Sequence, residues 1–167
     1  GYGTRNTIFA GADTENTIFA YNGDDTITGG KGADTLKGGQ GSDTYIFNLG
    51  DGNDVINETN SNSASDTIKF GTGIKPSDIK INRIGNDMGI YYGNQGDGVR
   101  IANQYSDSYY WIEKVTFTDD DTIINAVDYM NSSPVITPTE DGNVSDFTSG
   151  YGTRNTIFAG ADTENTI

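Results

Sequence analysis

A nine-residue repeat rich in glycine and aspartate dominates the first third of the chain. Residues 29–37 read GGKGADTLK and residues 38–46 read GGQGSDTYI, and both follow the pattern GGxGxDxUx, in which U is a large apolar residue. The neighbouring segments keep this pattern in weaker form, with asparagine replacing the aspartate in the first two: 1–9, 11–19, 20–28 and 49–57. Each repeat combines a glycine-rich turn with a short apolar stretch, so we predict very short strands joined by tight turns.

The apolar content of these strands is small. Because side chains alternate across a strand, only the middle residue of each short strand can point inward. The predicted inward set is Ile8, Ile18, Ile27, Leu36, Tyr45 and Ile56. Such a thin core does not offset the entropy of ordering about fifty residues. Something besides apolar packing must therefore hold this segment.

The charge composition limits the classes of function. The 167 residues include no cysteine and no histidine, and the formal net charge is −14. These absences exclude disulfides, nucleophilic sites based on thiol or imidazole, and ordinary zinc sites. The acidic balance argues against nucleic acid and anionic membranes as partners, and no apolar run approaches membrane-spanning length. A chain this acidic is better suited to binding cations.

The residue types of the repeat favour one cation in particular. Turn glycines can adopt positive φ and let adjacent backbones approach closely, so that their carbonyls face a shared gap closed by the aspartate. These hard oxygen donors suit Ca²⁺, with about six to eight ligands, better than Mg²⁺, which keeps waters and demands octahedral geometry. The alternative is a glycine-rich acidic linker that binds no metal, and the degenerate turns at 1–19 also suit a non-binding cap.

The repeat region resembles the RTX, or haemolysin-type calcium-binding, repeats of bacterial secreted proteins over residues 1–57. The resemblance implies an all-β fold built on a calcium-bound parallel β-roll, with about two to four Ca²⁺ ions lying between repeats n and n+2. The implied side-chain pairs are Asp25 with Asp43, Asp34 with Asp54, and more weakly Asn16 with Asp34 and Asn6 with Asp25. The implied metal-binding set, which includes glycines that present carbonyls, is Asn22, Gly23, Asp25, Gly30, Gly32, Asp34, Gly39, Gly41, Asp43, Gly50, Gly52 and Asp54.

The second half changes to longer strands of alternating polarity after a polar break at 58–65. Strands are predicted at 66–70, 79–84, 88–92, 98–102, 111–118 and 121–124. The runs FGTGIKPSDIKINRIGNDMGIYY, VRIANQY and WIEKVTFTDDDTI resemble the haemolysin-type calcium-binding-related module that often follows such rolls. The resemblance implies that residues 58–130 continue the roll as a short-stranded β module, either sandwich-like or a roll-capping sheet. That family usually ends with a Phe-x-Asp-Gly-Thr turn, from which the TFTDDDT segment here departs.

Three further groups of residues in this half are weaker candidate sites. The triplet at 119–121 (DDD) could bind a cation, although a solvated turn is the favoured interpretation. An aromatic group suggests either sugar stacking or core packing, and consists of Tyr91, Tyr92, Tyr105, Tyr109, Tyr110 and Trp111. Asp97 and Glu113 could be posed as paired carboxylates for glycosidic chemistry, which is the weakest hypothesis.

A second, larger repeat sets the domain organisation. Residues 1–18 recur without a change at 150–167. We interpret the chain as one module followed by the start of the next in a tandem array; a deliberately duplicated end is the alternative. Residues 131–149 carry two of the three prolines and are predicted to form an extended linker between modules.

The leading functional hypothesis is a non-enzymatic, calcium-dependent structural module of a large secreted or cell-surface bacterial protein. It is expected to fold on export into calcium-rich medium and to contact neighbouring copies of the same module. The alternative is a calcium-dependent polysaccharide-binding module similar to those of alginate epimerases, with Arg83 and Arg100 as test positions. An enzymatic role ranks last, because the sequence has neither an HExxH helix nor a GxSxG elbow.

Overall fold

Short strands alternate between two sheets as the chain advances. The computed structural model describes residues 5–11, 14–59, 64–93 and 96–132. In chain order the strands are β1 (Thr7–Phe9), β2 (Thr17–Asn22), β3 (Thr26–Thr28), β4 (Thr35–Gln40), β5 (Thr44–Phe47), β6 (Asn53–Ile56), β7 (Thr67–Phe70), β8 (Lys80–Ile84), β9 (Asp87–Tyr92), β10 (Asp97–Ile101), β11 (Lys114–Phe117) and β12 (Ile123–Asn125), and helix α1 (Ala126–Ser132) follows. The rest of the predicted linker and the repeated end at 150–167 lie outside the described residues.

The order of the strands is that of a parallel roll. Sheet 1 has the order β1-β3-β5-β7-β11-β12, and sheet 2 has the order β2-β4-β6-β10-β9-β8. The register follows the repeat, so that Ile8 lies opposite Ile27 in sheet 1 and Ile18 lies opposite Leu36 in sheet 2. Successive repeats therefore contribute parallel strands to alternate sheets. The predicted all-β roll is confirmed.

Glycine sets the spacing between neighbouring coils. Gly41 has a φ of +129°, and a Cβ built on it would collide with the carbonyl oxygen of Gly23 in the neighbouring coil. Gly39, with a φ of +104°, lies in the same way against the carbonyl of Tyr21. Only glycine adopts such angles readily and leaves this room, so the glycines of the repeat allow the turns to stack closely.

The second half extends the same two sheets and then closes them. In sheet 1, β7 pairs in parallel with β5 and β11 pairs in parallel with β7; in sheet 2, β10 pairs in parallel with β6. Antiparallel strands end this side of the molecule, with β12 on β11, β9 on β10 and β8 on β9. The predicted strands at 66–70, 79–84, 88–92 and 98–102 agree with β7 to β10 to within one residue at each end.

The strand predicted at 111–118 is shorter than expected and begins only at Lys114. The buried side chain of Gln104 is the cause: its Oε1 accepts from the N–H of Ile112 at 2.8 Å, and its Nε2 donates to the Ile112 carbonyl at 2.8 Å. These bonds occupy the backbone groups that a longer strand would use in pairing. The strand predicted at 121–124 also begins late, at Ile123, because the Asp120 side chain accepts from the N–H of Thr122 in a turn.

A single apolar cluster connects the two halves. The inward residues predicted for the repeats are buried in it, apart from the partly buried Ile8. The second half adds an aromatic group in which the ring centroids of Phe70 and Tyr92 lie 4.8 Å apart and those of Phe70 and Phe117 lie 5.6 Å apart. The thin core of the repeats therefore adjoins a thicker one.

The short helix α1 is not indicated by the sequence pattern. Asn125 begins it: its Oδ1 accepts from the N–H groups of Val127 at 3.1 Å and Asp128 at 3.2 Å, which is the usual role of asparagine at a helix N-terminus. The helix includes residues 131 and 132, the first two of the predicted linker, and the linker itself stays a prediction. In the part of the chain that the structure describes, no helix is long and apolar enough to cross a membrane.

Candidate metal centre

The aspartates of the repeats form two rows along the roll, one at the start of the strands of each sheet. Row 1 precedes sheet 1 and consists of Asn6, Asp25, Asp43, Asp66 and Glu113. Row 2 lies at the start of the strands of sheet 2 and consists of Asn16 and Asp34, which precede β2 and β4, and of Asp54 and Asp97, which lie in the first two residues of β6 and β10. Each row collects side chains that are 18 or more residues apart in sequence, because every second turn lies on the same side of the roll.

Row 1 is a continuous ladder of hydrogen bonds from backbone to carboxylate. The N–H of Asn6 donates to Asp25 Oδ1 at 2.6 Å, and the N–H of Asp25 donates to Asp43 Oδ1 at 2.8 Å. The ladder continues from the N–H of Asp43 to Asp66 Oδ1 at 2.8 Å and from the N–H of Asp66 to Glu113 Oε2 at 2.7 Å. One carboxylate oxygen in each of these acidic residues is thus used to fix the neighbouring coil.

Row 2 is built in the same way but ends differently. The N–H of Asn16 donates to Asp34 Oδ1 at 2.7 Å, and the N–H of Asp34 donates to Asp54 Oδ1 at 2.9 Å. At the end of the row, Asp97 accepts from the N–H groups of Gly50 at 2.8 Å and Gly52 at 3.3 Å. Both carboxylate oxygens of Asp97 are therefore satisfied by the backbone.

The predicted side-chain pairs are neighbours in these rows. Asp25 lies next to Asp43, and Asp34 lies next to Asp54, although Phe47 and Asn48 interrupt the period between the second pair. Asp51 stabilises the backbone at this interruption, because its Oδ2 accepts from the N–H of Asn48 at 2.8 Å. The weaker predicted pairs, which involve the asparagines, are adjacent as well. Their role as metal ligands stays a prediction.

Three buried carboxylate oxygens make the rows a candidate metal centre. Asp25, Asp34 and Asp43 are at most 1% exposed, and within the described residues the Oδ2 atom of each has no hydrogen-bond partner. A buried anionic oxygen without a partner is costly, and a bound cation removes that cost. The donor set therefore fits Ca²⁺, which carboxylates and backbone carbonyls bind together.

Backbone carbonyls face the neighbouring turns beside these oxygens. The carbonyls of Gly23 and Gly32 point at Gly41 and Gly52, and each would collide with a Cβ built there. All glycines predicted to take part have positive φ: Gly23, Gly30, Gly32, Gly39, Gly41, Gly50 and Gly52. Asn22 is exposed at the end of β2, opposite Gln40. No group of three or more acidic side chains converges in the described ranges, so any cation there would rely on carbonyls as well.

The electrostatics of the rows penalise negative charge in the absence of a cation. Burial, with a contribution from the Asp25 charge, raises the pKa of Asp43 to about 6. Burial and the charge of Asp34 raise the pKa of Asp54 to about 7. For Glu58, burial and the charges of Asp66 and Asp43 raise the pKa to about 8. A bound cation would favour the ionised forms and lower all three values.

Sequence reasoning missed two buried carboxylates, Asp66 in row 1 and Glu58 beside it. Asp66 could have been found, because the segment DTI at 66–68 repeats the segment DTI at 25–27. It was missed because the sequence that precedes it, at 58–65, departs from the nine-residue period. Glu58 has no counterpart in the nonapeptide pattern, and its burial at 0% exposure follows only from the fold.

The weaker candidate sites do not assemble. Asp97 and Glu113 belong to different rows and bind different backbone groups, so the structure does not bring them together as paired carboxylates. The segment 119–121 forms an exposed turn, in which Asp119 Oδ2 accepts from the N–H of Gly73 at 2.9 Å. This arrangement matches the solvated turn that the sequence favours.

The aromatic residues are divided between core and surface. Tyr92 is 1% exposed and packs between Phe47 and Phe70, whereas Tyr109 is 53% exposed. The guanidinium of Arg83 lies 4.4 Å from the ring centre of Tyr105. These residues therefore form no common stacking platform, and core packing accounts for Tyr92.

Comparison with protein families agrees with this geometry. The family model described as RTX calcium-binding nonapeptide repeat matches residues 10–45 with four copies. The first part of the chain is an array of RTX repeats. The model described as haemolysin-type calcium binding protein related domain matches residues 87–119, after the repeats. Both resemblances noted in the sequence are thus confirmed over these residues, and the RTX repeats are calcium-binding repeats. The search of curated proteins finds no match.

Proposed function

We propose that this RTX segment is a non-enzymatic structural module that folds when it binds calcium outside the cell. The observation that carries the proposal is that the buried Oδ2 atoms of Asp25, Asp34 and Asp43 have no hydrogen-bond partner within the described ranges. Without a cation, these oxygens oppose folding of the repeat region. With a cation, the free energy of binding adds directly to the free energy of folding.

The concentration range of calcium makes such a module a switch between compartments. Extracellular calcium modules bind with dissociation constants of about 10⁻⁴–10⁻³ M. At the low free calcium inside a cell the repeats stay unfolded and can be exported as a chain; in calcium-rich medium they fold. About two to four ions per module would act, held by the predicted aspartate pairs and turn carbonyls.

A calcium titration followed by circular dichroism tests the proposal, with magnesium as the control. The expected result is a transition from coil to β structure with calcium that magnesium does not produce. A chain that is already fully β-structured in chelator and unaffected by calcium would overturn it. Sedimentation velocity at both end points separates folding from association.

Association between copies is part of the proposal because one end of the roll has open strand edges. In the described residues, sheet 1 ends at β1 and sheet 2 ends at β2, and neither edge has a further strand. The exposed aromatic residues Phe9, Phe19 and Tyr21 lie on these strands. Open edges of this kind favour pairing with another chain. The expected result is a calcium-dependent increase in sedimentation coefficient that grows with protein concentration.

Polysaccharide binding is the second candidate function, and one surface feature favours it. A shallow groove beside β8 and β9 is lined by Asp78, Lys80, Asn82, Tyr91 and Gly93. An exposed tyrosine ring among polar side chains is a common way to hold a sugar. Binding of alginate oligosaccharides that is lost in Tyr91→Ala, or in the test variants Arg83→Ala and Arg100→Ala, would support this function. No binding at millimolar oligosaccharide would exclude it for uronates.

A further inference from the structure

A buried carboxylate that belongs to neither row, that of Glu58, lies beside row 1 near Asp43 and Asp66. Glu58 follows β6 and is 0% exposed, as is Asp43. Row 2 ends at Asp97, whose two oxygens are both bound to backbone N–H groups. Glu58 likewise accepts backbone N–H groups at both oxygens, from Gly38 at Oε1 (3.3 Å) and from Thr59 at Oε2 (3.2 Å). The difference lies in the neighbouring Asp43, whose buried Oδ2 has no hydrogen-bond partner among the described residues.

Asp43 and Glu58 meet at Gly38. Asp43 Oδ2 lies so close to Gly38 that a Cβ there would collide with it, and this oxygen has no partner among the described residues. The N–H of Gly38 donates to Glu58 Oε1 at 3.3 Å and to the hydroxyl of Tyr45 at 2.7 Å. Two carboxylates and a phenol oxygen are therefore grouped around one glycine.

No positive side chain is found to offset these charges in the described part of the chain. The ion pairs present there join Arg5 to Asp24 and Arg100 to Asp87, and neither involves Asp43 or Glu58. Two buried carboxylates in proximity are stable when a cation lies between them or when protons neutralise them. An unpartnered oxygen directed at the space beside Gly38 favours the cation.

We propose that Asp43 and Glu58 are the carboxylate ligands of an additional Ca²⁺ site that lies outside the nonapeptide pattern. The inference rests on the proposed function, because it takes the ion to be calcium. This site has two carboxylates, as do the two pairs implied for the repeats, Asp25 with Asp43 and Asp34 with Asp54. The Tyr45 hydroxyl supplies a further oxygen, and Asp66 positions Asp43 by accepting its backbone N–H at 2.8 Å. Glu58 thereby extends calcium binding into the segment that joins the repeats to the second half.

The test compares calcium binding to the full chain and to Glu58→Gln by isothermal titration calorimetry. Glu58→Gln keeps the size of the side chain and removes its charge. Glu15→Gln, at an exposed position, makes the same chemical change and is the matched control. In Glu58→Gln, we expect one fewer ion per chain, or a fall of about tenfold or more in the affinity of one site; in Glu15→Gln, we expect neither. The same number of ions with unchanged affinities in Glu58→Gln would overturn the inference.

A calcium-loaded crystal structure of the unmodified chain gives an independent test that does not depend on how a variant folds. The expected result is an anomalous difference peak about 2.3–2.6 Å from a carboxylate oxygen of Glu58. Peaks at the Asp25/Asp43 pair without one at Glu58 would overturn this inference and leave the proposed function intact. A chain that binds no calcium in the calorimeter would overturn both.

Discussion

The nonapeptide coils and the strands that follow them share two sheets but are stabilised differently. Each coil buries one large apolar residue, such as Ile27 or Leu36, and the coils carry carboxylate oxygens without partners. The later strands bury a group of large side chains that includes Phe70, Tyr92 and Phe117 and close with antiparallel pairs. We therefore expect the stability of this one continuous fold to depend on bound calcium at the end formed by the repeats and on apolar packing at the other end.

The largest expected effect is the response of the two regions to removal of calcium. Hydrogen exchange measured by mass spectrometry in chelator should show protection lost from residues 17–56 by about a hundredfold or more, because the ions that link the turns are gone. Residues 88–117 should keep most of their protection, since apolar packing holds them. Equal loss in both regions would show that they fold as one unit and that the comparison is wrong.

The next largest effect is expected from a side chain placed between stacked turns. Gly41→Ala adds a Cβ at a φ of +129°, where it would collide with the Gly23 carbonyl. We expect a loss of about 3 kcal/mol or more in the free energy of unfolding with calcium present, measured by urea titration. The control is Gly85→Ala in the second half, at a φ of +63° with nothing within 4 Å, where the cost should be about 1 kcal/mol. Equal costs would contradict close stacking of the coils.

The spacing of glycine and aspartate predicted short strands, tight turns and one inward residue per strand, because each repeat specifies its own turn and its own apolar position. The parallel roll and the pairs of neighbouring aspartates were implied by the resemblance to RTX repeats, in which every second turn lies on the same side. The pairing of β10 with β6 could not be read in the same way, because β7, β8 and β9 lie between those strands in sequence and no repeat sets their spacing. Glu58 was missed because it lies just after β6, where no position of the nonapeptide pattern specifies its burial.

Removal of one row carboxylate should have opposite effects with and without calcium. Asp43→Asn keeps an oxygen that can accept the Asp25 N–H but loses the charge that binds an ion. With calcium, the free energy of unfolding should fall by about 1–3 kcal/mol. In chelator, the β-structure content measured by circular dichroism should stay the same or rise, because burial disfavours the ionised Asp43 in the folded repeats. Asp121→Asn, at an exposed position, is the control and should change neither value. Destabilisation of the calcium-free chain would show that the charge of Asp43 has a partner in the protein.

The pH dependence of the calcium-free chain tests the same repulsion between buried carboxylates without a substitution. The folded-state pKa values of Asp43, about 6, and Asp54, about 7, lie above the ordinary value of 3.8. The folded chain therefore binds protons more tightly than the unfolded chain, so this contribution to stability is complete below about pH 4 and is lost as pH rises through 6 to 7. In protein stripped of calcium, the β-structure content measured by circular dichroism should be lower near pH 8, where the repeats are expected to be unfolded, than near pH 5. With saturating calcium the trend should reverse, because ion binding requires ionised carboxylates. A β-structure content that rises with pH in stripped protein would contradict the repulsion between the buried carboxylates.

The smallest effect is expected in the packed region, where a buried polar atom is not part of the calcium rows. The Tyr92 hydroxyl has no hydrogen-bond partner among the described residues, and burial together with the nearby Asp54 charge raises the pKa of Tyr92. Tyr92→Phe keeps the ring that packs on Phe70 and removes the unsatisfied hydroxyl, so the free energy of unfolding should stay the same or rise by about 1 kcal/mol. Tyr91→Phe, on the exposed face of the same strand, is the control.

The calcium affinity of Tyr92→Phe tests whether the repeats and the packed region are energetically independent. Because Tyr92 is held by packing, its substitution should leave the calcium-binding isotherm unchanged even if the stability of the chain increases. A weaker isotherm would mean that the hydroxyl supports row 2 through Asp54. In that case the ion-dependent and packed regions would be energetically coupled at the β6–β10 pairing, where sheet 2 passes from one region to the other.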